Sequence, residues 1–407
     1  MASLGWIDFS PGDRNRIGTV LDLLRPEGMV DELGLATIRD ALANQLFPGI
    51  STIQTKAKYF FIIPYILRDY QQLRPAQRRG KTALQYLEDR EYEIMWDLAE
   101  HYNYQEGTGV IGITKKRPHK ISRRPSAIYW NGLYTYNFIG TNGLSADTFL
   151  RQGRDQSIES LVSVQEGDDS NRDDADVEHD NQYHIRVPAR TNWKNNLTLD
   201  LEKEEAEFFR DQIVSISKDK LIAELLKNDT LWEVFNISGD FIEFSKAASS
   251  LSLPSSLKHM LTLAHDFSQL MYGAHLAYNC QLQNKVFNSD VFDKSWEDWA
   301  IDLPHSMLDF AQFNPDILFS YTTTTKRTTI QFIKDWWKEA QGGFPTITTR
   351  DRLIKQQEAI VKGGKARLRW EKTDDTKENT WQGLRHFAYR FYQGYTILND
   401  IRTGLSQ

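Results

Sequence analysis

The sequence predicts a mainly α-helical protein with two helical domains, and three observations carry that prediction. Apolar residues recur at three- and four-residue spacing along most of the chain. Strand signals are thin, confined to Val110 to Ile113 and to Ile317 through Ile330 with its threonine run. An abruptly acidic stretch separates the two helical parts. These place a helical, helix-turn-helix-like domain at 1–160, an acidic linker or loop at 161–192 and an aromatic-rich helical domain at 193–407. The chain's 407 residues suit more than one domain, and 40% hydrophobic content is enough for a sizeable core.

In order, Ile17, Val20, Leu21 and Leu24 mark one helix face ending near Pro26. Asp31 is placed to cap a second helix, whose face is Leu35, Ile38, Leu42 and Leu46, and Phe47-Pro48-Gly49 breaks it. Ser51 and Gln54 have capping-box spacing, which predicts a helix from Thr52 through Lys58 into the Phe-Ile cluster, kinked or ended at Pro64. Helix, short turn and capped helix together resemble a helix-turn-helix. There Thr52, Gln54, Thr55, Lys56 and Lys58 would meet bases and phosphates, although such helix pairs also occur where no DNA is bound. A long helix follows from about Thr82 to His101, and Pro125 opens another through Tyr134. Ser145 caps a short one. Helix, basic loop and aromatic helix would make a winged-helix-like unit with 110–113 as its wing.

The acidic stretch, QEGDDSNRDDADVEHD, runs from Gln165 to Asp180 and carries eight acids against one arginine. Helices resume at Leu201 to Ile216 and Lys218 to Leu226, and a long one spans Ser256 to about Gln283. In the long helix Met260, Ala264, Phe267, Met271, Ala274, Tyr278 and Leu282 form an apolar stripe. A second stripe, His265, Ser268, Tyr272, His275 and Asn279, is polar: either a site or a hydrogen-bonded seam against a neighbour. Its histidines are ten residues, or about 15 Å, apart, too far to share a metal ion. Trp296, Trp299, Trp336 and Trp337 read as packing anchors, and a final helix is expected from about Asn379 to Arg402.

A net charge of −6 excludes a protein that coats nucleic acid with its whole surface, so any such contact is local. A single cysteine, Cys280, rules out an internal disulfide framework or a cysteine-based zinc site and fits a reducing cytoplasm. No signal-peptide pattern opens the chain, and the most apolar run, Tyr59 to Leu67, is too short for a membrane span. Catalytic motifs fail on context. Gly107-Thr108-Gly109-Val110-Ile111-Gly112 matches G-x-G-x-x-G but follows a helix, and no acid lies twenty residues on. Pro315-Asp316 lacks the further acid that a nuclease core needs. No catalytic residue, metal or cofactor is assigned.

What remains is local charge. Lys115, Lys116, Arg117, Lys120, Arg123 and Arg124 lie together without an acid and run into Tyr129, Trp130 and Tyr134. A basic stretch beside aromatics is the footprint of a phosphate-binding surface, and equally of a solvated loop tethered by a core-facing helix. Gln54, Lys56 and Lys58 join it as expected nucleic-acid contacts.

Long phrases resemble an uncharacterised bacterial family, domain-of-unknown-function family 6361. They are SLGWIDFSPGDRNR, VDELGLATIRDALANQLFPGISTIQTKAKYFFIIPYI, RRPSAIYWNGLYTYNFIG, HDFSQLMYGAHLAYN and YRFYQGYTILNDIRTGL. The resemblance implies a setting among anti-phage defence genes, beside helicases, nucleases or DNA methyltransferases, and brings no catalytic residues with it. The expectation is thus a cytoplasmic, non-catalytic accessory component that binds DNA or a nucleic-acid-processing protein. The alternatives are a protein scaffold with an aromatic interface, and an enzyme using the His265, Tyr272, His275 face.

Overall fold

The structure, a computed structural model, describes residues 31–151, 184–284, 290–322, 324–369 and 381–407. The expected helix around Ile17 to Leu24 and the acidic run at 165–180 lie outside them. The described residues are mainly helical and pair as β-structure only at one isolated bridge, Ile139 with Ile185. Two compact units each combine separated stretches: Met1–Phe47 with Asp219–Tyr392, and Pro48–Lys218 with Gln393–Gln407.

The second of these units is built around α2 (Tyr59–Gln72), whose first nine residues are all buried. So continuous an apolar run is read as a central helix rather than a surface one. Pro64 sits inside α2 without ending it. Phe60 and Phe61 meet Tyr129, Phe138, Phe208 and Phe209 at ring separations of 4.7–6.2 Å. After the short α3 (Pro75–Arg78), α4 (Ala83–His101) starts at a complete capping box in which Thr82 and Gln85 each accept the other's backbone N–H. Then come α5 (Pro125–Thr135), a helical turn at 146–151 in which Ser145 Oγ accepts the Thr148 N–H, and α6 (Lys203–Ile216).

The helix expected from Thr52 does not form: residues 51–58 are turn and extended chain, and α2 begins at Tyr59. The capping-box spacing is used differently. Gln54 Oε1 accepts the Ser51 N–H at 3.2 Å while its amide donates to the Gly49 carbonyl at 3.1 Å. Remote side chains take the backbone that a first helical turn would have used. Tyr129 Oη accepts N–H bonds from Thr55 and Lys56 and donates to the Lys56 carbonyl, and Asp400 accepts the Ala57 N–H. Residues 111–114 form a turn and no strand covers 110–113, so the helix-turn-helix and wing are absent at the expected positions.

The other unit contains α1 (Ala36–Leu46), and Asp31 does hold its start, accepting the Leu35 and Ala36 N–H groups at 2.9 and 2.8 Å. α7 (Leu221–Lys227), α8 (Asp229–Ile237) and α9 (Phe241–Ala248) lead to α10 (Ser255–Leu282), 28 residues and about 42 Å long. α10 is buried around nearly its whole circumference. α11 (Asp293–Ser306) crosses it at Gly273, where the Trp299 ring occupies the space a Cβ would need, and Trp299 Nε1 donates to the Gln269 carbonyl. α12 (Asp316–Phe319), α13 (Arg327–Gln341) and α14 (Ile347–Lys362) complete this layer. Of the stretch expected as a strand over 317–330, residues 317–319 belong to α12 and 327–330 to α13. In α13 Thr329, Phe332, Ile333, Trp336, Trp337 and Ala340 are buried at helical spacing, which outweighs the β-preference of Thr328 and Thr329. The four expected tryptophan anchors are indeed buried, which removes them as a scaffold interface.

The last helix, α15, runs Phe391–Leu405, not from Asn379. Residues 381–390 are non-helical because the polar face of α10 holds them: Ser268 Oγ accepts the Phe387 N–H, and Asn279 exchanges two bonds with the Gln382 backbone.

Candidate nucleic-acid interface

The basic loop is laid along a stripe on α4. Glu88, Tyr92, Trp96 and Glu100 recur every four residues, so they share one face over about 18 Å. Tyr92 Oη donates to the Ile121 carbonyl and Trp96 Nε1 to the His119 carbonyl, both at 3.2 Å, fastening the loop's backbone. Its cations cover the stripe in reverse order. Arg117 lies over the Trp96 ring at 5.1 Å and pairs with Asp97 and with Glu100 at 3.7 Å. Lys120 lies over Tyr92 at 4.7 Å and approaches Glu88 at 3.6 Å. A cation above an aromatic face with a carboxylate alongside is doubly attracted, which orders a segment whose own charges repel.

Arg124 closes the loop on a buried acid. Glu91 accepts the Ser126 N–H, the Ser126 hydroxyl at 2.9 Å and Arg124 Nη1 at 3.2 Å, which sets the start of α5. Burial pushes the Glu91 carboxyl up to about 7, against the opposing pull of Ser126 and Arg124.

The six cations therefore divide. Arg117, Lys120 and Arg124 are tied to α4. Lys115, Lys116 and Arg123 are exposed and make no ion pair among the described residues, Lys116 facing only the Tyr104 ring at 5.1 Å. Thr114, Lys115, Lys116, His119 and Lys120 line an open concavity of about 450 Å³. Of the lysines around this hollow, Lys115 and Lys116 can receive an anionic oxygen without first giving up a carboxylate, whereas Lys120 is already near Glu88.

The other three expected contacts are engaged elsewhere. Gln54 is buried and spends its amide on the Gly49–Ser51 turn. Lys56 Nζ pairs with Asp400 at 2.8 Å. Lys58 is buried, its ammonium 2.6 Å from Glu205, and burial lowers its pKa more than that carboxylate raises it. None of the three offers a free group to DNA.

The polar face of α10 is buried against its neighbours. His265 Nδ1 is 2.9 Å from Asp266, whose carboxylate also accepts the Leu308 and Asp309 N–H groups. Tyr272 is stacked between Trp381 and His386 at ring separations of 5.6 and 4.0 Å. Burial pulls His275 and His386 down to about 4, so both are neutral. The acid beside His265 comes from its own helix and already holds a backbone turn. Burial raises the Cys280 thiol to about 12, far from a nucleophile. Among the described residues no cluster of three or more His, Cys, Asp or Glu could hold a metal ion, and no helix is long and apolar enough to cross a membrane.

The signal that sequence reading missed is the four-residue stripe on α4, which pairs the basic loop with its own template. The result is a mainly helical protein in which loop 115–124 is held on α4 and leaves Lys115, Lys116 and Arg123 without an ion pair among the described residues. The chain belongs to the family of unknown function DUF6361, whose sequence profile matches residues 1–392. Comparison with curated proteins produced no match, and neither did comparison with solved structures.

Proposed function

We propose that this protein binds DNA through the phosphate backbone, using the loop 115–124, as a non-catalytic accessory component of a bacterial anti-phage system alongside a nucleic-acid-processing partner. The observation that carries the binding reading is the ordered loop presenting Lys115, Lys116 and Arg123 without an ion-pair partner among the described residues, on a protein of net charge −6. Arg117, Lys120 and Arg124 spend their charge on α4 and hold the loop in place. The defence setting rests on what the family resemblance implies.

Three unpaired cations that displace counterions from B-DNA give a slope of about −2.7 in log affinity against log salt, or about 40-fold weaker binding from 50 to 200 mM. Duplex and single-strand binding across that range, for wild type and for Lys115→Ala/Lys116→Ala/Arg123→Ala, tests the proposal. A slope that flattens by about 3 in the triple variant supports it. No binding at 50 mM salt, or an unchanged slope, overturns it.

A further inference from the structure

A second cationic segment is built on the same face of α4. Residues 74–81, Arg-Pro-Ala-Gln-Arg-Arg-Gly-Lys, hold four cations and no acid. Like the basic loop, this segment is ordered by aromatics and one α4 carboxylate. The Arg78 guanidinium lies over the Tyr70 ring at 4.7 Å and donates to the Leu73 and Gln71 carbonyls. Tyr70 Oη donates to the Lys81 carbonyl at 3.0 Å, and its ring meets Tyr86 of α4 at 5.4 Å. Lys81 Nζ reaches Asp89 at 2.6 Å.

Asp89 is the α4 carboxylate that takes this segment, next in the chain to one that takes the basic loop. It follows Glu88, the residue that draws Lys120 and Arg124. At 100° per residue Asp89 also falls within the arc spanned by Glu88, Tyr92, Trp96 and Glu100. Segment 74–81 thus adds to the cationic cover of α4 at the end where Lys120 and Arg124 lie, through Asp89 and Tyr86. Its outer cations are free: Arg74 and Arg79 are exposed and make no ion pair among the described residues. Arg79 stands in the left-handed region at φ 49°, where glycine or asparagine would cost less, and Gly80 follows at φ 73°.

We propose that Arg74 and Arg79 form a second phosphate-contact element, so that the protein follows a duplex backbone along α4 with both segments. This rests on the loop 115–124 being a DNA contact and enlarges its footprint. The 18 Å stripe corresponds to about five base pairs at 3.4 Å per phosphate on one strand, and 74–81 adds cations at its Glu88 end. Free cations rise from three to five, which steepens the salt slope from about −2.7 to about −4.5.

The test uses the full chain and a labelled duplex of 20 base pairs, titrated between 50 and 200 mM salt. Wild type is expected to lose about 500-fold in affinity and Arg74→Ala/Arg79→Ala about 40-fold. Arg74→Gln/Arg79→Gln, with an unchanged melting temperature, separates lost charge from lost folding. A wild-type slope near −3 that the Arg74/Arg79 variants leave alone overturns this inference while the loop reading stands. A slope that falls in those variants but not in Lys115→Ala/Lys116→Ala/Arg123→Ala overturns the loop reading instead and leaves 74–81 as the contact. No duplex binding by wild type at 50 mM overturns both.

Discussion

Lys58 separates a DNA-contacting lysine from a structural one most sharply, and Lys58→Met is the perturbation that decides it. The ammonium is buried against Glu205 at 2.6 Å, and Glu205 also accepts the Tyr65 hydroxyl at 3.0 Å and the Glu202 N–H at 2.9 Å. Methionine keeps the apolar stem but strands the carboxylate, with Arg190 at 3.7 Å as its remaining cation. Removing one partner of a buried pair costs about 3–5 kcal/mol, because the other charge stays buried. In a unit of 150–250 residues each kcal/mol lowers the melting temperature by about 2–4 °C, so a fall of roughly 6–20 °C is expected. Adding Glu205→Gln removes the stranded charge and is expected to restore part of that loss, since burial already disfavours the charged lysine. Thermal melts of wild type, single and double variants, paired with the DNA salt series, supply the measurement. A shift under 2 °C together with a flatter salt slope would refute the reasoning and return Lys58 to the interface.

Three further outcomes follow from the packing and the buried ionisable groups. Gly273→Ala places a Cβ about 2 Å from the Trp299 ring; a rigid core cannot absorb this, so a loss of at least 1–3 kcal/mol or failure to fold is expected in melts. Glu91 titrates at about 7 in the folded chain against 4.5 unfolded, so folding favours its protonated form. Its contribution to stability falls as pH rises from 4.5 to 7, by roughly 3 kcal/mol in all. Glu91→Gln is expected to remove that dependence, and urea midpoints at pH 5 and pH 8 check it. His386, at about 4 folded against 6.5 unfolded, acts in the opposite sense: its neutral form is favoured by folding, and stability drops as pH falls from 6.5 through 4. His386→Phe is expected to flatten a melting profile over that window. An unchanged profile would show that the imidazole is solvated when protonated.

Local rules carried much of the fold. Thr82 with Gln85, Pro125, Ser145 and Asp31 all stand at or beside helix starts, and the long buried helix runs within a residue of its expected bounds. These features depend on neighbours within four or five residues, which a sequence displays directly. The same spacing misled at Ser51 and Gln54, because Tyr129 and Asp400 supply hydrogen bonds from more than 70 and more than 300 residues away. Likewise the polar stripe on α10 was legible, but the extended segment that satisfies it was expected to be helix.

The candidate site shows the same division. Composition and local charge identified Lys115 to Arg124 as a local basic stretch on an acidic chain. Only the tertiary structure decided which cations remain available. Pairing depends on where Glu88, Glu91, Asp97 and Glu100 fall when α4 lies under the loop, and so Arg117, Lys120 and Arg124 are spent on folding while Lys115, Lys116 and Arg123 are not. A charge is written in the sequence; whether it is free is set by distance, and distance between remote residues exists only once the chain has folded.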